Sequence, residues 1–222
     1  MRERKQRKLS TIPRTPRRRE IQRAHADEDR IDYLLDVAGE IFLEKGFEGT
    51  SVGEIATRAK ASKGTFYSRY PTKEKLFAAV FRRRADEAFQ ELASILLPDA
   101  QPEKVLRALG QWLIDCILGK DSINLMRLVY MEARKFPELG RTYYELGPRR
   151  GHKLVAEYFD ELVARKVFGQ MDTLLAAEQF FDILTGELVR RCALELLAPS
   201  RAERKKRLNA AVGMFLRAYK AR

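Results

Sequence analysis

Two cysteines and two histidines in 222 residues leave little material for metal or thiol chemistry. Cys116 and Cys192 sit inside apolar helical patterns with no Cys or His neighbour at ligand spacing, so they read as core residues of a protein in a reducing compartment. His25 and His152 have no Ser or Cys partner nearby, and neither H-x-x-x-H nor C-x-x-C occurs, so no catalytic residue, metal or cofactor is implied and the chain reads as a non-enzyme. The K-G-T of residues 63–65 lacks the upstream glycine of a phosphate loop. No stretch approaches about 18 apolar residues, and the basic N-terminus lacks the apolar core of an export signal, so neither membrane spanning nor secretion is expected, and a cytoplasmic location is. Alternating strand patterns of useful length are missing too, which leaves an all-α fold.

What is abundant is charge, 33% of residues, with 45% hydrophobic residues to build a core. The net charge of +12 is uneven: residues 1–23 carry +8 and residues 200–222 carry +7, so the segment between sums to −3. Basic ends on a mildly acidic body point to a local polyanion contact. Residues 1–26, with Pro13, Pro16 and the run Arg17, Arg18, Arg19, have too few large apolar side chains to order themselves. They are expected to form an arm, either a solubilising tail or one that tracks DNA phosphates.

The chain is organised around residues 50–70, TSVGEIATRAKASKGTFYSRY. Ser51 and Glu54 form an S-x-x-E capping box at the start of a short helix with Val52, Ile55, Ala56 and Ala59 on one face. Lys60 and Ala61 make a turn, and Ser62 is placed to cap a second helix. That helix offers Lys63, Gly64, Thr65, Tyr67, Ser68 and Arg69 outward while Phe66 and Tyr70 return to a core. Small residues that allow close approach, with Lys, Thr, Tyr and Arg as donors, suit a helix entering a DNA major groove. A plain helical hairpin with solvated polar residues is the competing reading. Before it, the apolar spacing from Ile31 to Phe42 predicts a helix over 27–45 stopped at Gly46. After it, Thr72 caps a long helix that ends before Pro98 and can bridge a small head and a separate body.

The segment DYLLDVAGEIFLEKGFEGTSVGEIATRAKASKGTFYSRYPTKEKLFAAV resembles the DNA-binding domain of the TetR/AcrR family of bacterial regulators, through K-G-F-x-x-T-S, I-A-x-x-A, S-K-G-T-F-Y and P-T-K-E-K-L. The resemblance implies a three-helix helix-turn-helix head at 27–88, with the motif at 51–70, and a helical effector-binding and dimerisation domain at 89–222. In this reading Thr50 and Ser51 meet backbone phosphate, Lys63, Gly64, Thr65 and Tyr67 face the groove, and Lys73 holds phosphate. Two positions depart from the family pattern. Lys60 stands where glycine is usual, which implies a rarer turn geometry or a strained residue. Arg69 stands where Tyr or His is usual, and would contact phosphate or read a guanine edge. The run RLVYMEARKFPELGRTYYELGP is similar to the AefR-like subgroup of C-terminal domains.

In the body, helices are expected near 103–118, 122–135, 138–147, 148–166, 172–197 and 200–219, about nine or ten in all with the head. Trp112, Cys116, Met126, Tyr130, Tyr144, Phe159 and Phe180 are an aromatic-rich set that either packs a bundle or, as the family implies, lines a pocket for a small apolar effector. The apolar stripes of the last two helices, including Phe181, Leu184, Leu188, Leu208, Val212 and Phe215, suggest a homodimer interface of four helices. Such a dimer would present two heads to half-sites about one DNA turn, ~34 Å, apart on a palindromic operator. The basic cluster of Arg201, Arg204, Lys205, Lys206 and Arg207 reads as a solvated face, with Ser200 and Glu203 as a second capping box. The expected function is a transcriptional repressor released from its operator by a small molecule. The alternative is an architectural or protein-controlled DNA-binding protein of the same fold.

Overall fold

In the computed structural model, residues 18–221 are described, with the side chains of residues 18–29, Lys63 and Thr65 outside the description. Ten helices and no strand make up the described residues: α1 (Arg18–Lys45), α2 (Val52–Arg58), α3 (Lys63–Arg69), α4 (Lys73–Ile95), α5 (Pro102–Ile117), α6 (Lys120–Glu132), α7 (Pro137–Leu146), α8 (Pro148–Ala164), α9 (Thr173–Ala193) and α10 (Arg201–Tyr219). The first helix begins nine residues earlier than expected. Arg18 and Arg19 therefore open a helix, because after Pro16 the chain carries good helix formers and no proline until Pro71. The remainder of the proposed arm, Arg17 included, lies outside the described residues.

Helix ends follow local chemistry. Ser51, Thr72, Asp172 and Ser200 each accept a hydrogen bond from the backbone N–H three residues on, and proline opens α5, α7 and α8. Only the serine half of the expected Ser51 capping box forms, since the Glu54 carboxylate pairs instead with Lys45. At the far ends, α2, α8 and α9 close in Schellman motifs whose left-handed residues are Lys60, Lys166 and Glu195, with φ of 50°, 59° and 57°. In α2 the pattern is complete: Ala61 N–H donates to Ala56 O at 2.9 Å and Lys60 N–H to Thr57 O at 3.1 Å. The glycine expected to end α1, Gly46, has φ of 74°.

Two apolar cores share α4. Toward its N-terminus, Leu76, Phe77 and Val80 pack with Ile41, Phe42, Phe47, Ile55 and Phe66 of the head. Toward its C-terminus, Ala85, Phe89 and Leu92 join the body, where Phe215 lies 5.1 Å from Phe159 and 5.3 Å from Phe180. The head's core also takes in Leu128, Val129 and Leu139 of α6 and α7. The α6–α7 hairpin thus belongs to the head by packing although it lies well beyond residue 88.

The residues assigned to a dimer interface are buried within the subunit. Phe181, Leu184, Leu208, Val212 and Phe215 lie in the body's core and Leu188 is fully buried. Helix α5 covers the stripe that one body was expected to leave open. Gly110 permits the approach, since a Cβ there would lie 2.4 Å from Leu208 Cδ1 and 3.1 Å from Leu184 Cδ2.

Candidate nucleic-acid interface

Helix α3 is anchored by Phe66, which is fully buried, and by Tyr70, which packs against the same core. That anchoring turns the rest of the short helix outward. Ser62, Gly64, Ser68 and Arg69 are exposed, and Tyr67 keeps half of its surface in water. Tyr67 and Arg69, two residues apart on the helix, are both exposed hydrogen-bond donors. The backbone of Lys63 and Thr65 lies in the first turn of α3; their side chains are not described. Gly64 is exposed, and among the described residues a Cβ there would meet Ser62 Oγ alone, at 3.8 Å. Packing among the described residues does not require glycine at this position. Lys60, exposed at the turn before α3, extends this face with a cation.

The turn preceding α2 is built differently from the sequence expectation. Thr50 is buried, and its hydroxyl donates to Gly46 O at 2.7 Å, which closes the end of α1. The side chain therefore serves the fold and is not offered to phosphate. Lys73 Nζ likewise donates inward, to Glu48 O at 3.1 Å and Thr50 O at 3.0 Å, and lies 4.6 Å over the Phe47 ring. With two of its three protons committed, Lys73 positions the turn. Ser51 remains exposed, and because its oxygen accepts from Glu54 N, its own proton stays available to a phosphate oxygen.

The same turn is gripped from the body. Glu48 N–H donates to Glu132 Oε1 at 3.2 Å, the Glu48 carboxylate pairs with Lys135, and Phe47 stacks edge-on with Phe136 at 4.8 Å. The hydrogen bond and charge of Lys135 hold the Glu48 carboxyl below the usual carboxylate range. Nothing in the local sequence announces these contacts, which join residues more than eighty positions apart.

A cavity of about 550 Å³ opens on the other side of the α6–α7 hairpin, against α8 and α9. Of the proposed effector-site residues, Tyr130 and Tyr144 line it. Trp112, Met126, Phe159 and Phe180 are buried in packing, with Trp112 Nε1 donating to Glu91 at 3.1 Å. Cys116 packs half-buried against the body's core, where burial and the Glu91 charge push its thiol up. Tyr143 lines it too, with His152, Glu178 and Asp182, three residues that periodicity alone does not single out. Among the described residues no group of three or more His, Cys, Asp or Glu could hold a metal ion, and no helix is long and apolar enough to cross a membrane.

Comparison with known proteins agrees with this geometry. The family model described as bacterial regulatory proteins of the tetR family matches residues 34–80, and that of the AefR-like transcriptional repressor C-terminal domain matches residues 104–221. A TetR-family transcriptional regulator from Mesorhizobium loti is 31% identical, with 87% of this chain and 98% of that chain aligned at a TM-score of 0.80. The flavonoid-responsive regulator FrrA is 28% identical over 88% of this chain and 99% of its own, at a TM-score of 0.77. Among curated proteins, the transcriptional repressor NicS of Pseudomonas putida is 33% identical over 95 residues, 43% of this chain and 44% of its own length. The match to each of the first curated relatives spans less than half of that relative. A head that presents α3 over a body of the matched type makes this a DNA-binding regulator of transcription and not an enzyme. The chain belongs to the TetR family, with a C-terminal domain of the AefR-like kind.

Proposed function

We propose that the protein is a cytoplasmic, homodimeric repressor that binds a palindromic operator through α3 and releases it when a small aromatic molecule enters the cavity between the α6–α7 hairpin and α8–α9. The observation that carries the reading is that one hairpin is shared by two sites: its Tyr130, Tyr143 and Tyr144 wall the cavity, while Val129, Phe136 and Leu139 pack into the head. Tyr143 also lies 5.3 Å from Phe81 of α4, so the cavity touches the long helix as well. A ligand that moves this wall repositions the head, changes the separation of the two half-site readers and weakens DNA binding. Coupling of this kind is typically worth roughly 1–3 kcal/mol.

Dimerisation falls to the outward faces of α9 and α10, since their inward stripes are occupied. Leu175, Ile183 and Met214 are exposed there, and beside them Gly186 has nothing within 4 Å of a built Cβ, which leaves room for a partner backbone. In the head, Ser51, Lys63, Thr65, Tyr67 and Arg69 supply the DNA contacts, with Thr50 and Lys73 behind them. The name of FrrA, a neighbour across nearly its whole length, supports an aromatic effector.

Footprinting of the purified protein on DNA flanking its own gene tests the operator reading and should show two protected half-sites about one turn, ~34 Å, apart. A thermal-shift screen tests the effector reading. A compound that raises the melting temperature and weakens operator binding supports it. Tight operator binding with no responsive compound favours the architectural alternative.

A further inference from the structure

We propose that the cavity selects aromatic ligands carrying a positive charge, of the arylalkylammonium class, with Glu178 and Asp182 as the counter-charge and Tyr130, Tyr143 and Tyr144 as the aromatic wall. The inference rests on the ligand-responsive reading above and adds the chemical class of the ligand. Volume admits a drug-sized molecule, since ligand pockets typically run roughly 300–1,000 Å³.

Charge decides the class. Glu178 and Asp182 stand one turn apart on α9 and both face the cavity, an arrangement of like charges that disfavours the helix it sits on. Neither forms an ion pair with any described residue, and no lysine or arginine lines the cavity. The nearby cations of α8 are committed elsewhere, Arg149 to Glu145 and Arg150 to Asp86, and Lys153 is exposed and pairs with neither carboxylate. The one lining group that could become cationic, His152, is held toward its neutral form by burial against Phe181, whose ring centroid lies 4.7 Å away. Glu178 is half-buried and Asp182 exposed, so two carboxylates without an ion pair to any described residue stand along one wall, and an anionic ligand would be repelled from it.

Recognition of the rest of the ligand follows from the other walls. Tyrosine faces attract ammonium groups and stack on aromatic rings. Burial pushes the Tyr143 phenol up to about 12, so it enters as a neutral ring with an O–H donor. Tyr130 and Tyr144, 68% and 50% exposed, stand at the mouth, where closing over a ligand would bury them.

The test uses the full chain and three probes with a common skeleton: 2-(2-naphthyl)ethylammonium, 2-(2-naphthyl)ethanol and 2-naphthylacetate, titrated by calorimetry and scored for operator release. The ammonium is expected to bind at least tenfold more tightly than the alcohol, with the carboxylate weakest. In the double variant Glu178→Gln, Asp182→Asn, the affinity for the ammonium should fall at least tenfold relative to that for the alcohol. A Tyr144→Ala variant should weaken whichever probe binds in the cavity. Equal or tighter binding of the alcohol or the carboxylate, sensitive to Tyr144→Ala, overturns the charge class and leaves the ligand-responsive reading standing. Retention of the ammonium preference in the double variant overturns it as well. If none of the three binds, the charge class falls, and the thermal-shift screen decides the ligand-responsive reading separately.

Discussion

Replacing Gly64 by alanine separates what α3 does for the fold from what it does for DNA. Among the described residues the added methyl meets nothing closer than Ser62 Oγ at 3.8 Å, an ordinary van der Waals contact, and Gly64 does not sit in the left-handed region. Alanine in a helix is favoured over glycine by roughly 0.5–1 kcal/mol. For a chain of this length the gain corresponds to a rise in melting temperature of about 1–4 °C. On the operator the sign reverses. If the exposed face of α3 approaches base edges closely enough to need a bare Cα, a methyl there forces the helix outward and loosens the donors on either side. A loss of tenfold or more in affinity, about 1.4 kcal/mol, is the expected scale. Differential scanning fluorimetry and fluorescence anisotropy on the footprinted operator measure the two effects on one preparation. A variant that melts lower would show that the head itself requires glycine. One that melts higher and binds DNA as before would remove Gly64, and with it this face of α3, from the interface.

Lys60→Gly should stabilise the protein by up to about 1 kcal/mol, because the left-handed conformation costs an L-residue roughly 1–2 kcal/mol and the added freedom of the unfolded chain returns part of that; a lower melting temperature would mean that the Lys60 side chain contributes more than its backbone loses. Lys73→Met removes the ammonium that holds Glu48 O and Thr50 O, so melting temperature and affinity for all DNA sequences should fall together, with roughly 1.5 kcal/mol lost from the fold. Reduced DNA binding at unchanged stability would assign Lys73 to phosphate alone. His152 is held below its ordinary value by burial, opposed by the carboxylates of Glu178 and Asp182. Its unfolded form therefore takes up a proton first as pH falls through about 6.5, and stability declines from there until the folded form is protonated as well. Urea midpoints across pH 5 to 7.5 should fall less steeply for His152→Gln, and superimposable curves would show that His152 does not contribute to the slope.

The head was readable because its information is local. A serine three residues before the backbone N–H that donates to it, apolar residues at helical spacing and a polar short helix with a single buried phenylalanine fix α2 and α3 without reference to the rest of the chain. The glycine-to-lysine departure at position 60 even carried the correct geometry, since a turn of that length needs a left-handed residue whichever side chain occupies it. What local pattern does not carry is the identity of the covering partner. The stripe of Phe181, Leu184, Leu208 and Val212 had to be buried, but periodicity is indifferent to whether α5 or a second subunit buries it. Gly110 was the available clue, as a small residue in a helix with an otherwise bulky apolar face. Hydroxyl direction is equally silent in sequence: Thr50 could face a phosphate or the carbonyl of Gly46, and the free end of α1 decided it. Glu178 and Asp182 carry no local signal of a site, and only the packing of α8 brings His152 to the same cavity wall.

The placement of the α6–α7 hairpin changes what effector binding has to accomplish. Were the head joined to the body through α4 alone, a ligand would have to bend or tilt a helix of 23 residues, and the displacement would be shared along its length. The hairpin offers a shorter route. Its cavity side carries Tyr130 and Tyr144, while its opposite side holds the turn that ends in Thr50 and Ser51 through Glu132, Lys135 and Phe136. The exposed ion pair of Glu48 with Lys135 contributes little stability by itself, whereas the stacked contact of Phe47 with Phe136 sits in a close-packed core that tolerates discrete rearrangements better than gradual ones. Phe136→Leu would keep the hairpin apolar while removing the ring that meets Phe47. Operator affinity without ligand should then change modestly, and the loss of affinity caused by ligand should shrink several-fold. Full release in that variant would show that the signal runs through α4 and Phe81 instead.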